Sequence, residues 1–300
     1  NINQLTAPNY DGFPLDLYLS PEPVLPVQFS RGCYYKDCAF CALTLDHQNF
    51  RQRDPGKTVD DLVWLKERYG AQSFFFTDEC FALSPTKRLC QQMIDRQVNV
   101  KWTCELRFEK NLTRELLGQM RDAGCLKIVF GLESFNQRVM DFMKKGIKQE
   151  SVRRIVDDCV DLGIAVHCYV IVGFPTEKEE EALDTMNFVV GNKKLHESYG
   201  FSCQPCLFDL EKEAPIMSDP GSYGIRRIMR PATEDLSLGF FYEVQEGMTP
   251  AQAEQLYQQV YEKISEVVCE LPFNYSMADG LLYIARAKSQ ALQVPQPTGS

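Results

Sequence analysis

Three cysteines stand close together in the segment Phe29-Ser-Arg-Gly-Cys33-Tyr-Tyr-Lys-Asp-Cys38-Ala-Phe-Cys41, with the spacing Cys-x4-Cys-x2-Cys. Thiolates are soft ligands, and three of them on a short loop opened by a glycine can converge on one soft metal centre. Iron–sulfur clusters are normally held by four cysteines. A three-cysteine site therefore leaves one iron open to a substrate or cofactor. Taken alone, the segment also suits a structural zinc ion, with His47 completing a Cys3His set. Position favours the first reading. The loop directly follows an apolar strand, which puts it at the C-terminal mouth of a βα barrel, where that architecture places its chemistry. A structural zinc knuckle has no reason to stand there.

The elements that must position this loop follow from hydrophobic periodicity. Residues 24–30 read as a buried strand, 58–69 as an amphipathic helix closed by Gly70, and 72–77 as a second strand. Ser84-Pro85 supplies an N-cap and a first-turn proline for the next helix. Strands at 98–104, 126–130, 164–172 and 200–206 then alternate with helical stretches at 113–123, 136–145, 151–162 and 177–192. Such alternation implies a parallel sheet with crossover helices. Six units are too few for a closed eight-unit barrel. The expected fold is therefore α/β, a partial (β/α)6 TIM-like barrel over 24–208. Pro8, Pro14, Pro21 and Pro23 keep the lead-in 1–23 irregular. Beyond 208 the rhythm stops: 209–248 holds Pro, Gly and polar clusters, and Thr249-Pro250 opens a long helix reaching about Cys269. Residues 209–300 thus form a smaller helical and irregular extension, expected to close the open side of the barrel.

The later strands also end in polar or glycine-rich residues: Thr77-Asp78-Glu79, Glu105-Leu-Arg107, Gly131-Leu-Glu133-Ser134 and Gly173-Phe174-Pro175-Thr176-Glu177. Carboxylates directly after apolar runs seldom arise from packing alone, although capping of the following helix accounts for about half of them.

This set of spaced motifs resembles the radical SAM superfamily. Its signature is a three-cysteine loop with an aromatic residue just before the third cysteine, here Phe40. The usual first gap is three residues, so the four between Cys33 and Cys38 are a departure, of a kind that variants in the superfamily show. The resemblance covers about residues 24–208 and implies that Cys33, Cys38 and Cys41 hold a 4Fe–4S cluster which cleaves S-adenosylmethionine (SAM) to a 5′-deoxyadenosyl radical. That radical takes a hydrogen atom from an unactivated carbon. By the same resemblance Phe40 contacts SAM, Thr77, Asp78 and Glu79 bind its methionine amino group, and Glu133 and Ser134 contact ribose or the methionyl portion. Arg107 faces the SAM carboxylate, a bidentate task suited to guanidinium. Gly173-Phe174-Pro175 packs near adenine, with Ile171 as an apolar contact. The longer Gly-x-Ile-x-Gly-x-x-Glu pattern is not reproduced, because Tyr169 and Thr176 replace its first glycine and its glutamate. Tyr34 and Tyr35 are expected to shield the cluster from water.

Within that superfamily, the lead-in Asn9-Tyr-Asp-Gly-Phe-Pro-Leu-Asp-Leu-Tyr and the stretch Phe142-Met-Lys-Lys-Gly146 look like the catalytic domain of cobalamin-binding proteins. A cobalamin-binding domain is then expected before residue 1, consistent with a chain that opens on Asn1 rather than Met. The implied function is cobalamin-dependent methylation of an unactivated carbon in a peptide or natural product. The alternatives are a cobalamin-independent radical SAM enzyme performing oxidation, rearrangement or cross-linking, and a non-catalytic zinc-stabilised binding module. The implied partners are a small-molecule or peptide substrate and a reductase or flavodoxin-like electron donor.

Composition narrows the setting. A net charge of −9, from 41 acidic and 32 basic residues, argues against nucleic acid as partner, and Arg226-Arg227 with Arg230 reads as solvated surface. No apolar run approaches the length of a membrane span. Twelve cysteines in a chain with a core of its own point to a reducing cytoplasm rather than a disulfide framework. Cys203-x2-Cys206 reads as core packing or a substrate-facing thiol. Glu177–Glu181 reads as acidic residues at a helix start. His47, His167 and His196 share no ligand spacing, and His167 falls in the fifth strand.

Overall fold

Short apolar runs separated by glycine- and proline-marked breaks fold as a six-stranded parallel sheet. The structure, a computed structural model, describes residues 1–18, 22–43, 49–192, 194–195, 201–230 and 239–267. Strands β1 (Val24–Val27), β4 (Ser73–Phe76), β5 (Lys101–Leu106), β6 (Cys125–Glu133), β7 (Ala165–Val172) and β8 (Ser202–Leu207) lie in that order, each parallel to its neighbours. No pairing joins β1 to β8 among the described residues, so this is the partial barrel that the periodicity implies. A two-stranded ribbon, β2 (Ser30–Arg31) with β3 (Arg51–Gln52), brackets the cysteine loop.

Helices α1 (Pro55–Tyr69), α2 (Leu83–Asp95), α3 (Arg114–Asp122), α4 (Gln137–Phe142), α5 (Gln149–Asp161) and α6 (Glu179–Gly191) follow the strands. Local chemistry sets their ends. Asp54 caps α1 through the Lys57 amide, and Gly70, at φ 66°, closes it with its amide on Lys66 O. Thr113 caps α3 through the Leu116 amide. Ser84 does not cap α2, which begins one residue earlier. There the Thr86 hydroxyl bonds back to the Ala82 carbonyl at 2.8 Å, while Ser84 Oγ accepts from Arg88.

Strand alternation sorts the sheet's two faces. Phe76, Trp102, Phe130 and Val170 point toward the helices and belong to the main core. The opposite face, turned to the barrel interior, carries Thr103, Glu105, Lys127, His167, Tyr169 and Gln204. β6 runs three residues past the expected stop at Phe130, because its pairing continues through an irregularity between Gly131 and Glu133, and Glu133 takes φ 61° there.

The segment after 208 is more ordered than its composition suggests. β10 (Ile225–Met229), β11 (Gly239–Val244) and β9 (Leu210–Glu211) form an antiparallel sheet, with Arg226 and Arg227 exposed as expected. α7 (Pro250–Val267) places Ala253, Leu256, Val260 and Ile264 in the main core. A second apolar cluster joins Ala39 of the cysteine loop and Ile171 and Phe174 at the β7 end to Ile216, Tyr223 and Tyr242 of this segment.

Candidate active site

The cysteine loop is held first by the end of β4. The Phe29 amide donates to Asp78 Oδ2 at 2.9 Å, the Ser30 hydroxyl donates to Oδ1 at 2.6 Å, and the Ser30 amide also donates to Oδ1. The Gly32 amide, at φ 84°, donates to Glu79 Oε2 at 2.9 Å, and the Thr77 amide donates to Val27 O at 2.9 Å. Each residue of Thr77-Asp78-Glu79 thus fixes one point on the path from β1 to Cys33. Burial pushes the Asp78 carboxyl up to about 7, with the Phe29 and Ser30 donors pulling the other way. Both Asp78 oxygens are engaged by the loop, so its task in this structure is to shape the loop rather than to face a ligand.

A second clasp comes from the segment after α4. Met143 O accepts from the Ala39 amide at 2.9 Å, Lys144 O accepts from the Tyr35 hydroxyl at 2.8 Å, and Lys145 O accepts from Arg107 Nη2. Gly146 sits at φ 65° against Tyr35, where a Cβ would collide with the phenol ring. From the third side the Ile216 amide donates to Ala39 O at 2.8 Å. The extra residue in the first cysteine gap is absorbed locally, with Lys36 in a left-handed conformation at φ 64°.

Two buried cations face the thiols. Arg107 Nη1 lies 3.6 Å from Cys38 Sγ, its guanidinium stands 3.4 Å above the Tyr35 ring, and Nε meets Glu109 Oε1 at 3.4 Å. Its fork is therefore taken up by the loop, by Glu109 and by Lys145 O, not presented free to a carboxylate. Lys145 pairs with Glu133 Oε1 at 3.1 Å and sits over the Phe40 ring at 5.6 Å. The Cys33 thiol is lowered to about 6, chiefly because the buried Cys80 thiol donates to it. The Tyr35 and Lys36 amides and the Arg107 charge also lower it, against burial. Burial pushes Cys41 up to about 11, helped by Cys38 and Cys33 beside it. The three thiols of one loop, backed by Arg107 and Lys145, fit an anionic, thiolate-bound iron–sulfur cluster. Among the described residues no three His, Cys, Asp or Glu side chains gather closely enough to hold a single metal ion. His47, the fourth ligand of the zinc reading, lies outside the described residues, as do His196 and Cys269.

The other strand ends are only partly drawn in. Glu105 faces the interior, pushed up to about 7 by burial and by the charges of Glu133, Glu79 and Asp78. A Cβ at Gly131 would stand 2.5 Å from Glu133 Oε1 and 3.0 Å from Lys145 Nζ, so a side chain there would displace that pair. Ile171 joins the cluster around Ala39. Gly173, at φ 87°, donates its amide to Glu177 Oε2 at 2.7 Å. Ser134 is turned away. Its hydroxyl, expected near the ribose or the methionyl portion of SAM, lies 3.3 Å from Thr185 of α6 and accepts from the Asn136 amide. Cys203 and Cys206 point to opposite faces of β8, Cys203 packing on the main core. The acidic run 177–181 is more than a helix-dipole device, since Glu177 is buried and Glu181 is held by Arg138. Sequence reading missed Cys80, Glu109 and Lys145 as parts of the site. The only signal was the 142–146 stretch, whose work is done largely by backbone carbonyls.

Residues 27–189 match the family described as the radical SAM superfamily. The chain belongs to it. Members of this superfamily are enzymes that use a 4Fe–4S cluster and SAM, and they need a reductant. An uncharacterized methyltransferase of Pyrococcus horikoshii is 28% identical over 203 residues, 66% of this chain and 43% of that protein. Anaerobic magnesium-protoporphyrin IX monomethyl ester cyclase of Rubrivivax gelatinosus is 30% identical over 160 residues, 52% of this chain and 29% of that protein. The matched part of this radical SAM chain thus corresponds to less than half the length of these relatives. Among solved structures, the radical SAM methyltransferase TsrM of Kitasatospora setae, with cobalamin and a 4Fe–4S cluster bound, superposes with a TM-score of 0.62 at 16% identity. That match covers 90% of this chain and 62% of TsrM. The cobalamin-dependent radical SAM enzyme OxsB gives a TM-score of 0.60 at 14% identity, over 78% of this chain and 40% of OxsB. At such identities the likeness shows a shared fold.

Proposed function

We propose that this chain is the catalytic part of a cobalamin-dependent radical SAM methyltransferase acting on an unactivated carbon of a small molecule or peptide. The observation that carries the radical chemistry is the three-cysteine loop, anchored by Asp78 and Glu79 and faced by buried Arg107 and Lys145. Cys33, Cys38 and Cys41 would hold three irons of the cluster. Once bound, cluster and SAM supply a 5′-deoxyadenosyl radical that removes a hydrogen atom from the substrate. The protein's own contribution is positional. Arg107 and Lys145 offset thiolate charge, while Tyr34, Tyr35 and Phe40 limit water around the loop. The main-chain edge at Thr77–Glu79 and the groups at Glu133, Ile171 and Gly173 line the mouth where SAM would lie. Residues 24–208 form the catalytic core in this reading, and 209–300 complete it.

Support for methyl transfer comes from the methyltransferase relatives and from the fold shared with cobalamin-dependent enzymes. Cobalamin would occupy a domain outside these residues, preceding the 1–23 lead-in. A reductase or flavodoxin-like protein would supply electrons in the cytoplasm, whose reducing poise suits the free cysteines among the described residues. Among those residues no helix is long and apolar enough to cross a membrane. A second reading, oxidation or ring closure without methyl transfer, is favoured by the cyclase relatives.

Anaerobic reconstitution with iron and sulfide, then reductant, cobalamin and methyl-labelled SAM, tests both. Methyl transfer yields labelled product and S-adenosylhomocysteine beside 5′-deoxyadenosine, whereas 5′-deoxyadenosine alone supports the second reading. Changing Cys33, Cys38 or Cys41 to alanine should abolish iron binding and SAM cleavage. A colourless protein with stoichiometric zinc would overturn the proposal.

A further inference from the structure

Below the mouth, the barrel interior carries a polar group that the chemistry above does not use. Lys127 of β6 is 2% exposed, and among the described residues its ammonium has a single hydrogen-bond partner, the Ser202 hydroxyl of β8 at 3.2 Å. That hydroxyl also meets His167 Nδ1 of β7 at 2.7 Å. Strand register puts Thr103 of β5 directly beside Lys127 and His167 directly beside Ser202, all four on the interior face. No carboxylate among the described residues offsets the Lys127 charge. Glu22, the acidic group near this end of the sheet, bonds Ser73 at 2.8 Å and Lys101 at 3.4 Å.

The hydrogen-bond directions then follow. An ammonium has no lone pair, so Lys127 donates to Ser202 Oγ, and in the tautomer of His167 that carries its proton on Nε2 the Ser202 hydroxyl donates to Nδ1. His167 Nε2 is buried with no partner among the described residues, and so is the Thr103 hydroxyl. Burial without an anion pushes Lys127 down to about 8, and burial together with Lys127 pushes His167 down to about 3, which keeps its ring neutral. In that tautomer the group offers spare donors at Lys127 Nζ, His167 Nε2 and Thr103 Oγ1, and what it lacks is an acceptor, best an anionic one. Above it on the same face Glu105, Gly131 and Tyr169 are half-buried and Gln204 is exposed.

We infer that Thr103, Lys127, His167 and Ser202 form a subsite for a carboxylate, so that the substrate carries an acidic group at the base of the barrel. This deepens the proposed function and rests on it for the identity of the occupant as substrate. His167 lies four residues before Ile171 along β7, so the acidic group would sit about 13 Å below the mouth at the usual strand rise. The substrate is then an elongated acid, reacting at one end and anchored at the other.

The test is thermal unfolding of the reconstituted chain with SAM present, in sodium formate against sodium chloride of equal ionic strength. Formate should raise the melting temperature of the wild type above its value in chloride, through its binding to the folded state. Lys127→Met should abolish that increment, and the isosteric Thr103→Val should weaken formate about tenfold, as loss of one hydrogen bond to a charged group does. No formate increment in the wild type, or one that persists in Lys127→Met, would overturn the subsite. Formation of 5′-deoxyadenosine in the same samples reports the radical reading separately. Its absence from the wild type would sink the radical chemistry while leaving the formate result intact.

Discussion

At the scale of single residues, burial decides which carboxylates remain charged. Glu177 is 1% exposed, accepts the Gly173 amide through Oε2, and has no partner for Oε1 among the described residues. Burial, with the nearby Glu181 charge adding to it, pushes its carboxyl from the ordinary 4.5 up to about 8, against the pull of the Gly173 and Phe174 amides and Arg138. Between those two values the folded chain holds a proton that the unfolded chain has released. Folding then takes up a proton, and stability falls as pH rises through this window. Glu177→Gln keeps an acceptor for Gly173 and removes the titration. Its melting temperature should decline less than the wild type's between about pH 5 and 8, a comparison that scanning calorimetry makes directly. Parallel declines in the two proteins would show that other groups carry the slope.

At the scale of elements, the cysteine loop gets its shape from its neighbours rather than from its own sequence. Asp78 at the end of β4 accepts three hydrogen bonds from Phe29 and Ser30. In Asp78→Asn one buried donor must face an amide nitrogen, so the variant should lose about 1–3 kcal/mol in chemical denaturation and take up less iron on reconstitution. Full iron uptake at wild-type stability would mean that the loop holds its path unaided. The buried Lys145–Glu133 pair ties the end of β6 to the segment behind the loop. Lys145→Met strands the glutamate and should cost about 3–5 kcal/mol. The double variant with Glu133→Gln should recover part of that loss, which a denaturation cycle would measure.

Over the whole molecule, the segment after residue 208 is structural to the site, not an appendage. Ile216 donates its amide to the loop at Ala39 O, Met248 donates to Glu177 O at 2.8 Å, and α7 fills the main core with Leu256, Val260 and Ile264. A chain ending at residue 208 uncovers Ile171, Phe174 and Phe208 together with the core face under α7. Such an exposed apolar surface favours association. The truncated chain should aggregate or reconstitute without a stable cluster, as size-exclusion chromatography and iron analysis would reveal. A soluble monomer with full iron content would place the catalytic unit within 24–208 alone.

The chain's own periodicity and punctuation determined the six βα units and their open-barrel arrangement, because strand and helix periods are local properties that apolar spacing records. The three-cysteine loop was legible for the same reason, its residue types and spacing being contiguous. What holds that loop was not. Cys80, Glu109 and Lys145 reach it from distant points in the chain, and the 142–146 segment works largely through carbonyls that carry no residue label. The register of β5 to β8 was equally hidden, and only it gathers Thr103, Lys127, His167 and Ser202, each unremarkable in its own strand, on one buried face. Spacing along the chain named the loop that could hold a cluster. Tertiary packing decided which charges surround it and which of the polar strand ends remain free to meet a ligand.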